Sequence, residues 1–123
     1  MPTDKKVLVC DDELYILESV TYVAREEGFA VFAAEDGEEA IDKARAERPD
    51  LMLLDILMPK KTGFEVCRTL KQDPVTKGIY IILLTSLGQE RDVEEAYQSG
   101  ADEYMTKPFS PRNLRRRLHE LLD

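Results

Sequence analysis

Five short apolar runs, separated by longer amphipathic stretches, constrain this chain more than any other feature. The runs are Val7–Cys10, Ala30–Ala34, Leu51–Leu54, Tyr80–Leu84 and a weaker Glu103–Met105, and each reads as a strand. The first helical stretch spans about Glu13 to Glu27, with Ile16, Val20 and Val23 on one face and Gly28 as its stop. The second opens on Asp36 and Glu39, spaced as a capping box, and ends before Pro49. The third covers about Phe64–Gln72 and runs into the loop D-P-V-T-K-G. The fourth, about Gln89–Gln98, has little apolar face beyond Val93, Ala96 and Tyr97. The fifth begins at Ser110-Pro111, an N-cap and first-turn pair, and its core stripe is Leu114, Leu118, Leu121 and Leu122.

Strand and helix thus alternate through the whole chain, without a linker or low-complexity segment. Short connections between such units argue a parallel sheet covered on both faces. The runs V-L-V-C, L-M-L-L and Y-I-I-L-L are apolar throughout and should be central, whereas A-V-F-A-A and E-Y-M should be edges. That favours a doubly wound α/β sheet of order 2-1-3-4-5 over 3-2-1-4-5, which would expose the very apolar third strand at an edge. At 123 residues the chain is one domain, 1–123, with room for one core.

Bulk properties remove several functions. The longest apolar runs fall far short of the ~20 residues a membrane helix needs, and no charged-then-apolar leader opens the sequence. The net charge of −8 disfavours nucleic-acid binding by this domain, which needs Lys and Arg to neutralise phosphates. Cys10 and Cys67 fit no metal spacing and read as reduced thiols of a cytoplasmic protein. His119 reads as a surface histidine without a catalytic role.

Ligands of such sheets bind beyond the carboxyl ends of the strands, at the point where the strand order reverses. There the first strand ends in Asp11, Asp12 and Glu13, the third in Asp55, the fourth in Thr85-Ser86, and the fifth in Thr106-Lys107-Pro108. Asp11, Asp12 and Asp55 make a hard-oxygen cage suited to Mg²⁺, with Lys107 as a second positive charge. A carboxylate beside such a metal can accept a phosphoryl group, Lys107 can neutralise its oxygens and Thr85 can donate to one of them. No G-x-x-x-x-G-K-[ST] loop suggests a nucleotide, and no Cys–His or Ser–His pairing suggests acyl transfer. Each residue also has a plainer reading. Asp12 could cap the first helix, Asp36 the second; Thr85, Tyr104 and Lys107 alone are ordinary strand-end or surface residues.

Four pieces together are specific: D-D-E after the first strand, D-I-L-M-P-K-K-T-G after the third, T-S after the fourth, and G-A-D-E-Y-M-T-K-P-F around the fifth. Over its whole length the chain resembles the receiver domain of two-component response regulators, which implies a flavodoxin-like fold. The resemblance implies that Asp55 is the phospho-acceptor and that Asp12 ligates Mg²⁺ directly. Asp11 would help hold the ion through water, with Asp55 and the backbone carbonyl of Leu57 completing the protein ligands. Lys107 would pair with the phosphoryl group, or with Asp55 before it arrives; Thr85 and Tyr104 would be the switch pair, and Pro108 would follow a cis bond. The implied partners are a sensor histidine kinase or histidine phosphotransfer protein and a downstream output domain or protein. The implied place is the cytoplasm, and the implied chemistry is limited to the domain's own phosphorylation and dephosphorylation.

Some positions depart from the commonest family pattern. Ser86 stands where alanine is frequent, and Leu57 and Leu87 flank the path of attacking water without a group to orient it, so slow self-dephosphorylation is expected. The fourth helix, with the fifth strand and fifth helix, should be the switching output face. It carries Arg112, Arg115, Arg116 and Arg117, readable as a nucleic-acid or acidic-partner patch, or as a solvated face with Arg117 paired to Glu103 or another acid across a subunit contact. A homodimer through this face would resemble the DNA-binding regulators with winged-helix output, although Asn113 replaces a usual acid. Two other readings stand beside the phospho-receiver. One is a phosphorylation-independent pseudo-receiver. The other is a small Mg²⁺-dependent aspartyl phosphatase, which Leu57 in place of a general acid disfavours. No output segment follows Asp123, so an effector domain would be absent or removed.

Overall fold

Alternate residues along each strand point to opposite faces, and this decides where every helix packs. The computed structural model describes residues 4–85, 90–107 and 109–123, and for 90–92 the backbone alone. The elements are β1 (Lys6–Cys10), α1 (Leu14–Glu26), β2 (Ala30–Ala34), α2 (Gly37–Glu47), β3 (Leu51–Asp55), α3 (Gly63–Gln72), β4 (Tyr80–Thr85), α4 (Glu90–Gln98), β5 (Glu103–Thr106) and α5 (Pro111–Leu122). All paired strands are parallel, in the order β2-β1-β3-β4-β5, as expected from the apolar runs.

Right-handed crossovers then dictate the layers. The chain steps one way from β1 to β2 and the other way through β3, β4 and β5, so α1 and α5 share one face and α2, α3 and α4 the other. Val7, Val9, Leu51, Leu53, Ile82 and Leu84 meet the α1–α5 layer. Leu8, Cys10, Met52, Leu54, Ile81 and Leu83 meet the α2–α4 layer. The central strands are buried on both sides, whereas β2 and β5 are partly exposed, which matches their weaker apolarity. Both cysteines are buried and unpaired. No described helix is long and apolar enough to cross a membrane.

Helix ends hold two corrections. Asp36 caps α2 by accepting the Glu39 N–H at 2.8 Å, but the Glu39 carboxylate turns to the Glu35 N–H at 2.6 Å, so no reciprocal box forms there. The complete capping box is at α3, between Thr62 and Glu65. Asp12 does not cap α1 either: Glu13 holds that position without a side-chain cap, and its N–H is taken by Asp11. The capping reading of Asp12 therefore falls away, and its carboxylate is left for other work.

Candidate functional site

Sheet register brings the chemistry to one edge. Cys10 pairs with Leu54, so Asp11 and Asp55 follow on adjoining strands and point to the same side. Thr85 pairs with Thr106 at the ends of β4 and β5, and the Lys107 N–H donates to the Thr85 carbonyl at 2.7 Å. The cation thus arrives beside β3 only because β5 is two strands away and its lysine reaches back across β4.

Asp11 is fully buried and fixed on all sides. Its N–H donates to the Ala34 carbonyl at 3.1 Å, one carboxylate oxygen accepts the Glu13 N–H at 2.9 Å, and the other accepts Lys107 Nζ at 2.7 Å. Lys107 also lies 3.2 Å from Asp55 Oδ1. The sequence pointed to Asp55 as the resting partner of Lys107; the lysine bridges both acids, and Asp11 is the shorter contact. Asp12, next along the chain, is exposed at the mouth.

Oxygens of Asp11, Asp12 and Asp55 lie within 4.8 Å of one another. Like charges that close repel by roughly 3 kcal/mol at an effective dielectric of about 20. One ammonium cannot offset three carboxylates. Burial pushes the Asp55 carboxyl up to about 6, and the neighbouring Asp11 charge adds to it, while Lys107 pulls the other way. Burial alone would lower the Lys107 ammonium, but the Asp11 hydrogen bond and the Asp55 charge outweigh it and hold it above its ordinary value. The site lacks positive charge, and its donors are hard oxygens, which fits Mg²⁺ better than a softer metal.

The β3–α3 connection closes the other side. Gly63 donates to the Ile56 carbonyl at 2.8 Å, and Gly37 and Lys61 both donate to the Pro59 carbonyl. Among the described residues no donor reaches the Leu57 carbonyl, which leaves it available as a metal ligand. A side chain at Gly63 would stand 2.4 Å from the Asp55 carbonyl, so only glycine lets α3 start against the end of β3.

Thr85 is buried at the end of β4. Tyr104 lies two residues before Thr106 on β5, and its ring meets that of Tyr97 on α4 edge-on at 5.9 Å. That contact connects the proposed switch tyrosine to the helix whose apolar face is thinnest. Ser86, Leu87 and Pro108 lie outside the described residues. Arg117 chelates Glu103 within the same chain, one of the two arrangements the sequence allowed. His119 sits between Glu27 and Asp123, far from the acidic pocket in role and in contacts. Sequence reasoning missed the fastening of the β3–α3 connection by α2, because Lys60 and Gly37 carry no pattern that marks one as touching the other.

A sequence profile of the response regulator receiver domain matches residues 7–119. The chain is 44% identical to the alkaline phosphatase synthesis transcriptional regulatory protein PhoP of Bacillus subtilis, over 97% of this chain and 49% of that protein. It is 36% identical to the phosphate regulon transcriptional regulatory protein PhoB of Escherichia coli, over 96% of this chain and 52% of that protein. The chain therefore spans about half the length of the curated relatives it matches. Its fold superposes on the chemotaxis response regulator CheY4 of Vibrio cholerae with a TM-score of 0.90 at 33% identity, covering 98% of this chain and all of that one. The sheet order, the acidic pocket at its switch point and these likenesses agree: the chain belongs to the response regulator receiver domains of two-component signalling.

Proposed function

We propose that Asp55 is the phospho-acceptor, taking its phosphoryl group from the phosphohistidine of a sensor kinase or histidine phosphotransfer protein. The observation that carries this is the position of Asp55: a buried carboxylate at the end of β3, 3.2 Å from Lys107 and clustered with Asp11 and Asp12. Asp11, Asp12, Asp55 and the Leu57 carbonyl would hold Mg²⁺, which when bound neutralises charge on the transferring group. An Asp55 oxygen attacks phosphorus, the P–N bond to the donor imidazole breaks, and an acyl phosphate remains. Lys107 stays charged through the step and pairs with a phosphoryl oxygen. Thr85 donates to another, and the displaced packing passes to Tyr104 and, through Tyr97, to α4.

The output face is then α4, β5 and α5. Among the described residues Glu94 is exposed on α4 and Arg112, Arg115 and Arg116 are exposed on α5, and this pairing of opposite charges supports a phosphorylation-dependent homodimer. The relatives named as transcriptional regulators support a DNA-binding output beyond this domain, which itself would not touch DNA. No turnover of an external substrate is proposed, and the place of action is the cytoplasm. Intact mass after incubation with Mg²⁺ and acetyl phosphate tests the reading. One added phosphoryl group, dependent on Mg²⁺ and absent in Asp55→Asn, is expected; no gain by a folded, Mg²⁺-binding protein overturns it in favour of a pseudo-receiver.

A further inference from the structure

The β3–α3 connection, residues 56–62, holds the Leu57 carbonyl; Ile56 and Met58 on either side of Leu57 are buried in the core, and beyond them the chain turns through the Lys61 N–H bond to the Pro59 carbonyl. Its outer part is solvent-exposed at Pro59 and Lys60, and Lys60 adopts φ 71, a left-handed conformation that favours glycine. A lysine keeps such a conformation only where neighbours impose it. The neighbours here are the first residues of α2. The Gly37 N–H donates to the Pro59 carbonyl at 3.2 Å, and Lys60 Nζ lies 3.6 Å from Asp36 and 3.9 Å from Glu38.

Gly37 itself presses on this segment. A Cβ at Gly37 would stand 2.3 Å from the Lys61 carbonyl oxygen, 2.6 Å from Lys61 Cβ and 2.9 Å from its carbonyl carbon. Two of these three atoms are backbone, so no rotamer change relieves the clash. Something must shift, and α2 is the firmer body: Ala40, Ile41 and Ala44 are locked in the core, and Asp36 caps its first turn. The displacement therefore falls on the connection.

We infer that Gly37 is a positioning residue for the metal site, its missing side chain letting the start of α2 clamp the connection so that the Leu57 carbonyl faces the carboxylates. This rests on the Mg²⁺ site proposed above. The segment runs from Ile56, bonded by Gly63, to Pro59, bonded by Gly37; Met58 holds its inner side in the core, and the Gly37 bond fixes its outer side, with Leu57 between. The acids of the pocket come from strand ends and do not depend on the clamp. Gly37→Ala should thus weaken the metal site while leaving the sheet intact.

The test is calorimetric titration of the metal-free protein with Mg²⁺, with no phosphodonor present. Gly37→Ala should lose roughly tenfold in affinity, the scale on which supporting residues act on metal sites. Gly78→Ala, where a Cβ meets nothing within 4 Å, should bind as the wild type does. Leu122→Ala, which weakens the far end of α5, should lower the melting temperature but not the affinity; equal affinity losses in Gly37→Ala and Leu122→Ala would overturn the inference as mere destabilisation. A second readout needs no variant: in the wild type, Mg²⁺ should slow hydrogen exchange at the Gly37 amide, because metal and clamp favour the same arrangement. Unchanged affinity in Gly37→Ala, or unchanged exchange at Gly37, beside a wild type that binds Mg²⁺ overturns the inference alone. A wild type that binds no Mg²⁺ overturns the metal reading and the inference with it.

Discussion

Lys107 donates to Asp11 at 2.7 Å across 96 residues of sequence, and both side chains are nearly excluded from water. The same ammonium reaches Asp55, so one cation holds two buried acids at the meeting of β1, β3 and β5. Removing it leaves those acids facing each other without compensation. Lys107→Ala should destabilise the metal-free protein by roughly 3 kcal/mol, the usual consequence of orphaning a buried charge. Urea unfolding measures this, and Mg²⁺ should restore part of the loss; equal stability of variant and wild type would show that Asp11 does not depend on the lysine.

Asp55 contributes the opposite sign. Its carboxylate is buried beside Asp11 and costs stability where it is charged. Asp55→Asn removes that repulsion without changing shape, and should stabilise the metal-free protein by about 1–3 kcal/mol at pH 7. The same variant should lose the stabilisation that Mg²⁺ gives the wild type, about 1.4 kcal/mol at ten times the dissociation constant. Thermal melts of both proteins with and without Mg²⁺ separate the two effects.

Leu57 shows its side chain to solvent, 63% exposed, two residues after Asp55. It can neither donate nor accept a hydrogen bond from water approaching the acyl phosphate. Leu57→Asn should shorten the half-life of the phosphorylated form severalfold without altering the fold. The decay rate of the phosphorylated mass decides it: an unchanged rate would show that this position does not orient the water.

His119 gives stability a pH dependence. Its ring bonds to Glu27 at 2.8 Å and Asp123 at 2.7 Å, lies 5.4 Å from the Phe29 ring, and Arg115 shares Glu27 at 3.6 Å. The Glu27 bond, then the Asp123 bond, raise its folded value above the ordinary histidine range. A raised value means stability fully present below the unfolded value of about 6.5 and lost as pH rises through the higher folded one. Denaturant midpoints should therefore fall as pH rises above about 6.5 in the wild type. They should fall less in His119→Gln; parallel curves would remove the histidine from the account.

Much of this protein could be read before folding was considered in three dimensions. Apolar periodicity determined the strands, the helices and the strand order, because a strand buried on both faces must be apolar throughout and an edge strand need not be. Carboxylates directly after two such strands determined that charge would gather at the switch point. The Ser110 cap of α5 and the Gly28 stop of α1 were equally local. Only the tertiary structure decided how that charge is shared. Whether Lys107 takes Asp11 or Asp55, and whether Arg117 meets Glu103 in its own chain, depend on distances between elements. So does the fit of Gly37 against Lys61, where a gap too small for one carbon joins two segments that nothing in their patterns relates. Patterns report which face of an element is buried; they carry no record of which atom on the neighbouring element lies opposite.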